Sequence, residues 1–275
     1  MELQQSPLYA QYVQTLHWRV ITIDSTNIFL RNIPFNGTFA KIQRPKKLPS
    51  LKKLIPILKT NGVSTVIAEA AAGQNSEQFR QWCDELKKIV QITKTPYIPT
   101  KTILIDLKPS EEEIFHKFTE AKRRAVRRAQ KNNVTIHESK NIDDLIKIKN
   151  KSAGFLGFLT TFGIKKLWPI FGQKNGAILL AQTAGGKTIG GVLLLFWENT
   201  AYYWIAGATH EGKKLFAPTL LVWEAIKISK KHGARSFDFV GVWDERLPHQ
   251  YDSWKGFTKF KEGFGGKELY YPISE

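Results

Sequence analysis

The sequence predicts an α/β protein of the α+β type, built from two fused domains that each contain a mixed, mostly antiparallel sheet flanked by helices. Its 275 residues are 42% hydrophobic and 12% aromatic, which is enough apolar material for two cores of ordinary size. Short apolar runs typical of strands alternate along the chain with amphipathic runs of helical period. We place the domains at residues 1–148 and 149–275, with the C-terminal strand free to return to the first domain.

The order of the predicted elements also supports this fold class. The first half contains the strands WRVITI, NIFLRNI, FAKIQR, STVIAEA and TILIDL, with helices near 50–60 and 76–91. The second half contains three successive strands, a helix at 217–231, a strand, a helix near 253–262 and a last strand. Three antiparallel strands followed by helix, strand, helix and strand is the order of an acyltransferase core of the GNAT type. The first half has a similar but less distinct order of elements, which predicts two fused copies of one fold.

The net charge of +17 comes from 41 Lys and Arg against 24 Asp and Glu, and both halves of the chain are basic. Such a charge attracts nucleic acid, phosphorylated substrates or an anionic membrane surface. The segment RPKKLPSLKKLIPILK, residues 44–59, mixes basic and apolar residues as interfacial helices do. Pro49 and Pro56 interrupt it, which favours an ordinary surface helix. The charge therefore restricts the partners to anions without choosing among them.

Missing patterns disfavour several classes of protein. The longest apolar run, VLLLFW, is far shorter than the roughly 20 residues of a membrane span, and no signal-peptide pattern is present. Cys83 is the only cysteine, and we expect it to be buried in a helix. There is no G-x-S-x-G, P-loop or H-E-x-x-H motif, and the six histidines are scattered, so no metal site is expected. We expect a cytoplasmic protein that is soluble or membrane-peripheral.

The most basic stretch of the chain is EAKRRAVRRAQKNN, residues 120–133. Ser110 and Glu113 have the spacing of a capping box and predict one long helix from about 110 to 132. Helical projection puts Phe118 and the alanines on a buried face and the basic residues on the opposite face. The basic row consists of Arg123, Arg124, Arg127, Arg128 and Lys131. It is either a solvated surface or a binding surface for a polyanion.

Three further features bear on the chemistry. His249 and Asp252 could pair as base and orienting acid, although a loop histidine near an aspartate is more often only hydrogen-bonded. Asp106 and Asp238 stand at strand ends, where a carboxylate faces either a cleft or a turn, so neither is assigned as general base. The link ATHEGKKLFAPTLL has one glycine and lacks the spaced glycines with which GNAT enzymes hold the pyrophosphate of acetyl-CoA.

The chain resembles the FemABX family of peptidoglycan aminoacyltransferases, which are built from two GNAT-like domains. The resemblance covers nearly the whole chain, from LQQSPLYAQYVQTLHW to KGFTKFKEGFGG. Its most specific parts are R-R-A-x-R-R-A-x-K in the basic helix, the strand end D-F-x-G at 238–241 and F-K-x-G-F-G at 260–265. Each is weak alone, and their order and spacing together carry the resemblance.

The resemblance implies transfer of a glycine-, alanine- or serine-type amino acid from aminoacyl-tRNA to the side-chain amine of a peptidoglycan stem peptide. The acceptor would be lipid II or UDP-MurNAc-pentapeptide, which implies a role in bacterial cell-wall biogenesis and cell shape at the inner face of the cytoplasmic membrane. No cofactor is implied, because aminoacyl-tRNA is a co-substrate. Both substrates are polyanions, in agreement with the basic composition.

The resemblance also implies roles for particular residues. Lys261 would stabilise the oxyanion or the ester carbonyl, and a solvated surface lysine is the alternative. Phe260 would pack against the terminal adenosine or shape the pocket. The residues that would hold phosphates of the tRNA or of the precursor are Arg123, Arg124, Arg127 and Arg128.

The sequence departs from the family pattern where the precursor binds. Many members have a lysine that contacts the precursor's phosphates, and Val13 stands at that position. Members also place an arginine and an aromatic residue before the second sheet, for which Lys165 or Lys166 with Trp168 are approximate substitutes. The binding mode of the precursor is therefore open.

Two other functions stay open. One is a different N-acyltransferase of the same fold that uses an acyl-CoA or a carrier-linked acyl group, against which the missing glycine loop argues. The other is a non-enzymatic RNA-binding protein, in which the arginine row would hold phosphates and Lys261 would have no role.

Overall fold

A computed structural model describes residues 2–154, 157–248 and 250–274. The chain forms two compact units, one made of the residues up to Lys101 and those from Leu269 onwards, and the other of Thr102–Glu268. The first unit ends well before residue 148, where the sequence placed the boundary, and the C-terminal segment belongs to it. The cause is the strand TILIDL, which lies within the first domain as predicted from the sequence. It pairs with a strand of the second unit, with Ile105 opposite Phe237.

The first unit contains a five-stranded mixed sheet. In spatial order its strands are β1 (Arg19–Ile23), β2 (Thr26–Ile33), β3 (Gly37–Gln43), β4 (Val63–Glu69) and β5 (Gln91–Ile92). Its helices are α1 (Pro7–Thr15), α2 (Leu51–Thr60) and α3 (Ser76–Lys87). The first three strands are antiparallel, and β4 joins β3 in parallel after the crossover through α2. Leu54 and Leu58 of α2 and Phe79 of α3 are buried in the core of this unit, together with Cys83 as predicted.

The second unit is built on a seven-stranded mixed sheet. Its strands are β6 (Lys101–Asp106), β7 (Thr135–Ser139), β8 (Gly176–Gln182), β9 (Thr188–Trp197), β10 (Thr200–Ala208), β11 (Ser236–Asp238) and β12 (Lys267–Tyr270). Their spatial order is β12, β6, β11, β10, β9, β8 and β7. Neighbours from β7 to β10 are antiparallel, whereas β10 and β11 are parallel. The parallel pair ends at Tyr202 and Asp238, and β10 continues to Ala208.

Helices surround the second sheet. They are α4 (Glu111–His116), α5 (Glu120–Lys131), α6 (Ile142–Ala153), α7 (Gly157–Thr160), α8 (Ile164–Asn175), α9 (His210–Lys214), α10 (Ala217–Lys231) and α11 (Lys255–Glu262). Both α6 and α10 pack on β9, which explains why that strand is buried from Ile189 to Phe196 without alternation. Two mixed sheets with flanking helices confirm the predicted fold class.

The capping box at Ser110 and Glu113 is present, but the single long helix predicted from it is wrong, because the chain forms α4 and then α5. Thr119 starts α5 with its side chain as the cap, and its own amide donates a hydrogen bond to the carbonyl of Gly263 at 2.9 Å. The guanidinium of Arg123 donates to the carbonyls of His116, at 2.9 Å, and Phe118. These groups provide the hydrogen-bond partners that an interrupted helix lacks.

Candidate active site

Lys261 lies in α11, and two main-chain carbonyls hold its ammonium group. Nζ donates hydrogen bonds to the carbonyl oxygens of Phe239, at 2.9 Å, and Gly241, at 2.6 Å. An ammonium group has three N–H donors, so one is left for a further acceptor. Burial lowers the pKa of Lys261 to about 8, and the charge of Lys149 acts in the same direction while that of Asp238 opposes it. Lys261 is therefore a cation at neutral pH that titrates well below an ordinary lysine.

The two carbonyls belong to the turn that follows β11. Asp238 is buried, and its Oδ1 accepts hydrogen bonds from the hydroxyl of Thr102, at 2.5 Å, and from the amide of Val240, at 2.7 Å. The amide of Gly241 donates to the same hydroxyl at 3.1 Å. Val240 has a φ of 59°, a conformation that β-branched residues rarely adopt. The hydrogen bonds of Thr102 and Asp238 thus hold the turn in the shape that directs two carbonyls to Lys261.

The carboxylates considered as general bases have structural partners. Asp238 stabilises the turn after β11, as described above. Asp106 accepts a hydrogen bond from the amide of Lys108 at 3.0 Å, which is the geometry of an aspartate turn. His249 lies outside the described residues, so its predicted pair with Asp252 lies outside them as well. No general base is assigned on this basis.

Phe260 packs at the margin of the second unit's core. Its ring meets that of Phe264 edge to face, with 5.2 Å between the centroids. Nζ of Lys122 lies 3.7 Å from the centroid of Phe260, and burial lowers the pKa of Lys122 to about 8. Phe260 is only partly buried, so it packs against the core and still has exposed surface.

The glycines of F-K-x-G-F-G are required for close packing. A Cβ atom at Gly263 would lie 2.6 Å from the side chain of Lys122. Gly265 has a φ of 74°, and a Cβ atom there would lie 2.3 Å from the carbonyl oxygen of Lys117. Phe264, between the two glycines, is fully buried. The motif therefore fixes the end of α11 against the junction of α4 and α5, which determines where Lys261 stands.

Lys149 is a residue of the site that sequence reasoning missed. It lies on α6, and a Cβ atom at Gly207 of β10 would be 3.0 Å from its Cα atom, so helix and strand are in close contact there. Burial lowers the pKa of Lys149, and the positive charge of Lys149 helps to lower the pKa of Lys261. A signal was present, because Ile142, Leu145 and Lys149 have the spacing of one helix face and the first two are buried.

Lys165 and Trp168, predicted to contact the precursor, lie near the beginning of α6. Nζ of Lys165 is 2.7 Å from Oδ1 of Asp143, and Nε1 of Trp168 donates to the carbonyl of Lys140 at 3.2 Å. Asp143 precedes Lys149 by six residues on α6, which corresponds to about 9 Å along the helix axis. The structure therefore places these two residues on the same helix as Lys149, but not in contact with it.

The basic row of α5 is largely exposed. Arg124 has Nε 3.5 Å from a carboxylate oxygen of Glu120, and the guanidinium of Arg128 lies 5.7 Å from the ring centroid of Phe216. Arg127 is exposed and has no hydrogen bond or ion pair within the described part of the chain. Within the part of the chain that the structure describes, the ion pair of Arg124 is the row's only contact with a carboxylate, so the row is a cationic surface.

Arg127 and Arg123 should respond differently to substitution. We expect Arg127→Ala to weaken the binding of charged tRNA, the polyanion that the resemblance implies, and to lower the salt dependence of binding by about one phosphate contact, with unfolding free energy unchanged within about 0.5 kcal/mol. We expect Arg123→Ala to lower the unfolding free energy by about 1–2 kcal/mol, because two carbonyls at the junction of α4 and α5 lose their donor. Filter binding over a salt series and urea unfolding measure these effects, and equal results for both variants would contradict this division of roles.

The link between β10 and α10 does not have the form of an open phosphate-binding loop. Thr209 caps the short helix α9, with its hydroxyl accepting a hydrogen bond from the amide of Gly212 at 3.0 Å. A Cβ atom at Gly212 would lie 2.2 Å from the carbonyl oxygen of Ile189. The glycine of this link therefore serves the packing of α9 on β9, and the residues present do not form the glycine cradle of a CoA site.

Hydrogen bonds and aromatic rings account for the buried ionisable groups of the first unit. Glu69 accepts hydrogen bonds from the amides of Tyr97 and Ile98, each at 2.7 Å. Nζ of Lys41 lies 3.3 Å from the ring centroid of Tyr97 and 4.3 Å from that of Trp18. Burial lowers the pKa of Lys41 to about 8 and raises that of Glu69. These contacts stabilise the fold of the first unit, and no catalytic role is assigned to them.

Three expectations concern features that the sequence lacks. Within the described ranges, no three His, Cys, Asp or Glu side chains are grouped as a metal site would require. None of the helices in those ranges combines the length and the apolar character needed to cross a bilayer. Val13, at the position of the family's phosphate-binding lysine, is buried in the first unit.

Comparison with known proteins places this fold among acyltransferases. The family model described as Acetyltransferase (GNAT) domain matches residues 116–255, which is just over half of the chain. The chain therefore belongs to the acetyltransferase (GNAT) family. A search of curated protein sequences gave no significant match.

Solved structures extend this likeness to both units. FemX is 13% identical, with 98% of this chain and 90% of that chain covered and a TM-score of 0.76. The C-terminal domain of a putative lysylphosphatidylglycerol synthetase from Agrobacterium fabrum is 14% identical, with coverage of 99% and 89% and a TM-score of 0.62. A tandem GNAT protein from the clavulanic acid biosynthesis pathway is 11% identical, with coverage of 90% and 77% and a TM-score of 0.53. The protein thus has a FemABX-like tandem GNAT fold, as predicted.

Proposed function

We propose that this protein is a bacterial aminoacyltransferase that uses aminoacyl-tRNA as donor and the stem-peptide side-chain amine of a peptidoglycan precursor as acceptor. The donated residue is of the glycine, alanine or serine type, and the acceptor is lipid II or UDP-MurNAc-pentapeptide. The observation that carries this proposal is the ammonium group of Lys261, which two carbonyls fix in place with one N–H left over, in a fold shared with FemX.

The proposed reaction has one position at which fixed positive charge lowers the barrier. The neutral acceptor amine attacks the ester carbonyl carbon of the donor, and negative charge develops on the carbonyl oxygen. A C–N bond then replaces the C–O bond to the terminal ribose, and the proton of the amine ends on the released ribose hydroxyl. Lys261 donates its remaining N–H to the developing oxyanion, which it can do without reorganisation because its other two donors are already bound.

The remaining site residues receive the substrates in this proposal. Arg124, Arg127 and Arg128 form an exposed cationic surface suited to the phosphates of the tRNA. The exposed part of Phe260 packs against the terminal adenosine. Arg123 stabilises the junction of α4 and α5, since its guanidinium is bound to main-chain carbonyls there.

Lys165 and Trp168 contribute to precursor binding at the beginning of α6. Trp168 donates its only N–H to a main-chain carbonyl, so the indole ring can offer a ligand its apolar face but no further hydrogen bond. Lys165 is exposed and forms an ion pair with the carboxylate of Asp143. A phosphate of the precursor can replace that carboxylate as the partner of Lys165.

Membership of the acetyltransferase family favours one competing function, acyl transfer from a CoA thioester to an amine. The helical link at α9 argues against it, since its glycine is packed against the carbonyl of Ile189. An acyl-CoA donor would need this link to rearrange before main-chain amides could reach a pyrophosphate.

The decisive experiment supplies both donor types to the same preparation. The protein is incubated with charged tRNAs and either lipid-linked or nucleotide-linked muropeptide, and mass spectrometry detects an added residue. Uncharged tRNA, ribonuclease treatment and acetyl-CoA in place of charged tRNA are the controls. We expect addition only with charged tRNA; turnover of acetyl-CoA without tRNA would replace this proposal by the CoA-dependent one, and no addition from either donor would contradict both.

A further inference from the structure

The turn between β2 and β3 exposes an aromatic ring to water. Phe35 lies at the tip of this hairpin, its side chain is fully exposed, and its φ of 66° falls in the left-handed region that favours glycine. Other exposed large apolar residues are less accessible, with Phe162 at 72%. A strained turn that presents phenylalanine to solvent has no packing explanation in the fold.

The chain around this turn has an excess of basic residues. No acidic residue occurs from Ser25 to Ala68, a range that includes the hairpin and all of α2. The basic residues of this range are Arg31, Lys41, Arg44, Lys46, Lys47, Lys52, Lys53 and Lys59. Lys41 and Arg44 are buried and Lys53 pairs with Asp24, so the exposed basic residues of this range without a carboxylate partner in the described structure are Arg31, Lys46, Lys47, Lys52 and Lys59.

The hairpin tip and the end of α2 lie side by side. In the register of β3 and β4, Thr38 is opposite Val63, and the hydroxyl of Ser64 donates to the carbonyl of Asn36 at 3.2 Å. The turn that ends α2 at Asn61 is therefore next to the hairpin tip. Arg19 donates a hydrogen bond to Asn61. Lys59, in the last turn of α2, therefore lies on the same edge of the unit as the exposed ring.

The exposed face of α2 continues this surface. Lys52, Pro56 and Lys59 are exposed and have the spacing of one helix face, whereas Leu54 and Leu58 are buried on the other. We call the surface formed by Phe35, Arg19, Arg31, Lys52 and Lys59 the hairpin edge.

We propose that the hairpin edge docks on an anionic lipid bilayer, with Phe35 inserted among the acyl chains and the basic residues paired with headgroup phosphates. An apolar wedge surrounded by Lys and Arg is the arrangement that holds peripheral proteins at a bilayer interface. Pro34 and Phe35 are both exposed, so the tip presents two consecutive apolar side chains; insertion among acyl chains buries both, whereas stacking on a nucleic-acid base would use the ring alone. A bilayer is therefore favoured over RNA as the partner. This inference does not depend on the donor or the acceptor of the proposed reaction.

The test measures sedimentation of the full-length protein with vesicles of phosphatidylcholine, with and without phosphatidylglycerol. We expect binding only to the anionic vesicles, with loss of binding at high salt. Phe35→Ser should weaken it about tenfold or more, since an exposed ring contributes nothing to folding but much to insertion. The matched control is Phe162→Ser, which removes an exposed phenylalanine from the second unit and should bind as the parent does.

Charge variants test the other half of the proposal. The pair Lys52→Gln and Lys59→Gln should weaken vesicle binding about tenfold, while Lys88→Gln with Lys94→Gln, on the same unit, should have little effect. Vesicle binding that is equal in all variants, or absent in the parent protein, overturns the proposal. Loss of charged-tRNA binding without loss of vesicle binding would assign the hairpin edge to RNA instead.

A fluorescent label reports on the tip directly. Cys83 is buried, so Phe35→Cys creates one accessible thiol for an environment-sensitive dye. Its emission should shift to the blue on anionic vesicles, whereas the same dye at Phe162→Cys should not respond. Transfer to the nucleotide-linked acceptor in the absence of membrane should be unchanged by Phe35→Ser, which separates a failure of this inference from a failure of the proposed reaction.

Discussion

Lys261→Met is expected to lower the rate of aminoacyl transfer by about 10²- to 10³-fold, which is the usual effect of removing one fixed donor from a developing oxyanion. Methionine is similar in length to lysine but has no N–H groups, so the carbonyls of Phe239 and Gly241 lose their partner together with the charge. Single-turnover transfer from charged tRNA measures the effect. The matched control is Lys259→Met, an exposed lysine on the same helix, which should react at the parental rate. A folded Lys261→Met protein with parental activity would refute the role.

The pH dependence of transfer follows from the same group. Because burial lowers the pKa of Lys261 to about 8, the side chain is a cation below that pH and neutral above it. An oxyanion-stabilising role therefore predicts that the rate falls as the pH rises through about 8. In Lys261→Arg this fall should move to higher pH, because a guanidinium keeps its proton there. A rate that rises through pH 8 in the parent protein would instead indicate that neutral Lys261 takes a proton.

The free energy of unfolding should change with pH in the opposite direction to the rate of transfer. The folded state holds fewer protons at Lys261 than the unfolded chain between pH 8 and about 10.5. The unfolding free energy of the parent protein should therefore rise over that window, and Lys261→Met should lack this part of the rise. The comparison of the two proteins isolates Lys261 from Lys41 and Lys122, whose pKa values burial also lowers.

Gly265→Ala is expected to cost about 2–5 kcal/mol of unfolding free energy. One part of this cost is the left-handed backbone at a φ of 74°, and the larger part is the 2.3 Å approach of the new methyl group to the carbonyl oxygen of Lys117. Gly233→Ala is a matched control, because its φ is 80° but no atom lies within 4 Å of the position of its Cβ. It should cost only about 1–2 kcal/mol. Urea unfolding measures both, and equal costs would show that the close contact at Gly265 can relax.

The sequence contained enough information for most of the helices and strands. The unbroken apolar run of β9 and the helical period of α10 are strong signals, and Ser110 with Glu113 marks the beginning of α4. The break between α4 and α5 depends on the carbonyl of Gly263, which is far away in the chain. The assignment of β6 to the second sheet depends on its pairing with β11. Neither contact has a local signal, and so neither could be predicted.

The candidate site was predictable only in part. Lys261 was identified through the F-K-x-G-F-G motif, but its partners were not. Their position depends on the φ of Val240, which is stabilised by a hydrogen bond between Thr102 and Asp238, 136 residues apart. The basic row looked uniform in sequence, whereas the structure separates Arg123, bound to carbonyls, from the exposed Arg127.

The main-chain binding of the Lys261 ammonium has a consequence for how such a site can change. A cation held by a carboxylate is displaced or neutralised when that side chain mutates, but carbonyl oxygens are present whatever residue occupies the position. Phe239 can therefore be replaced by other apolar residues without removing an acceptor from Lys261. The side chains of this turn can therefore change while the charge of Lys261 stays at one place.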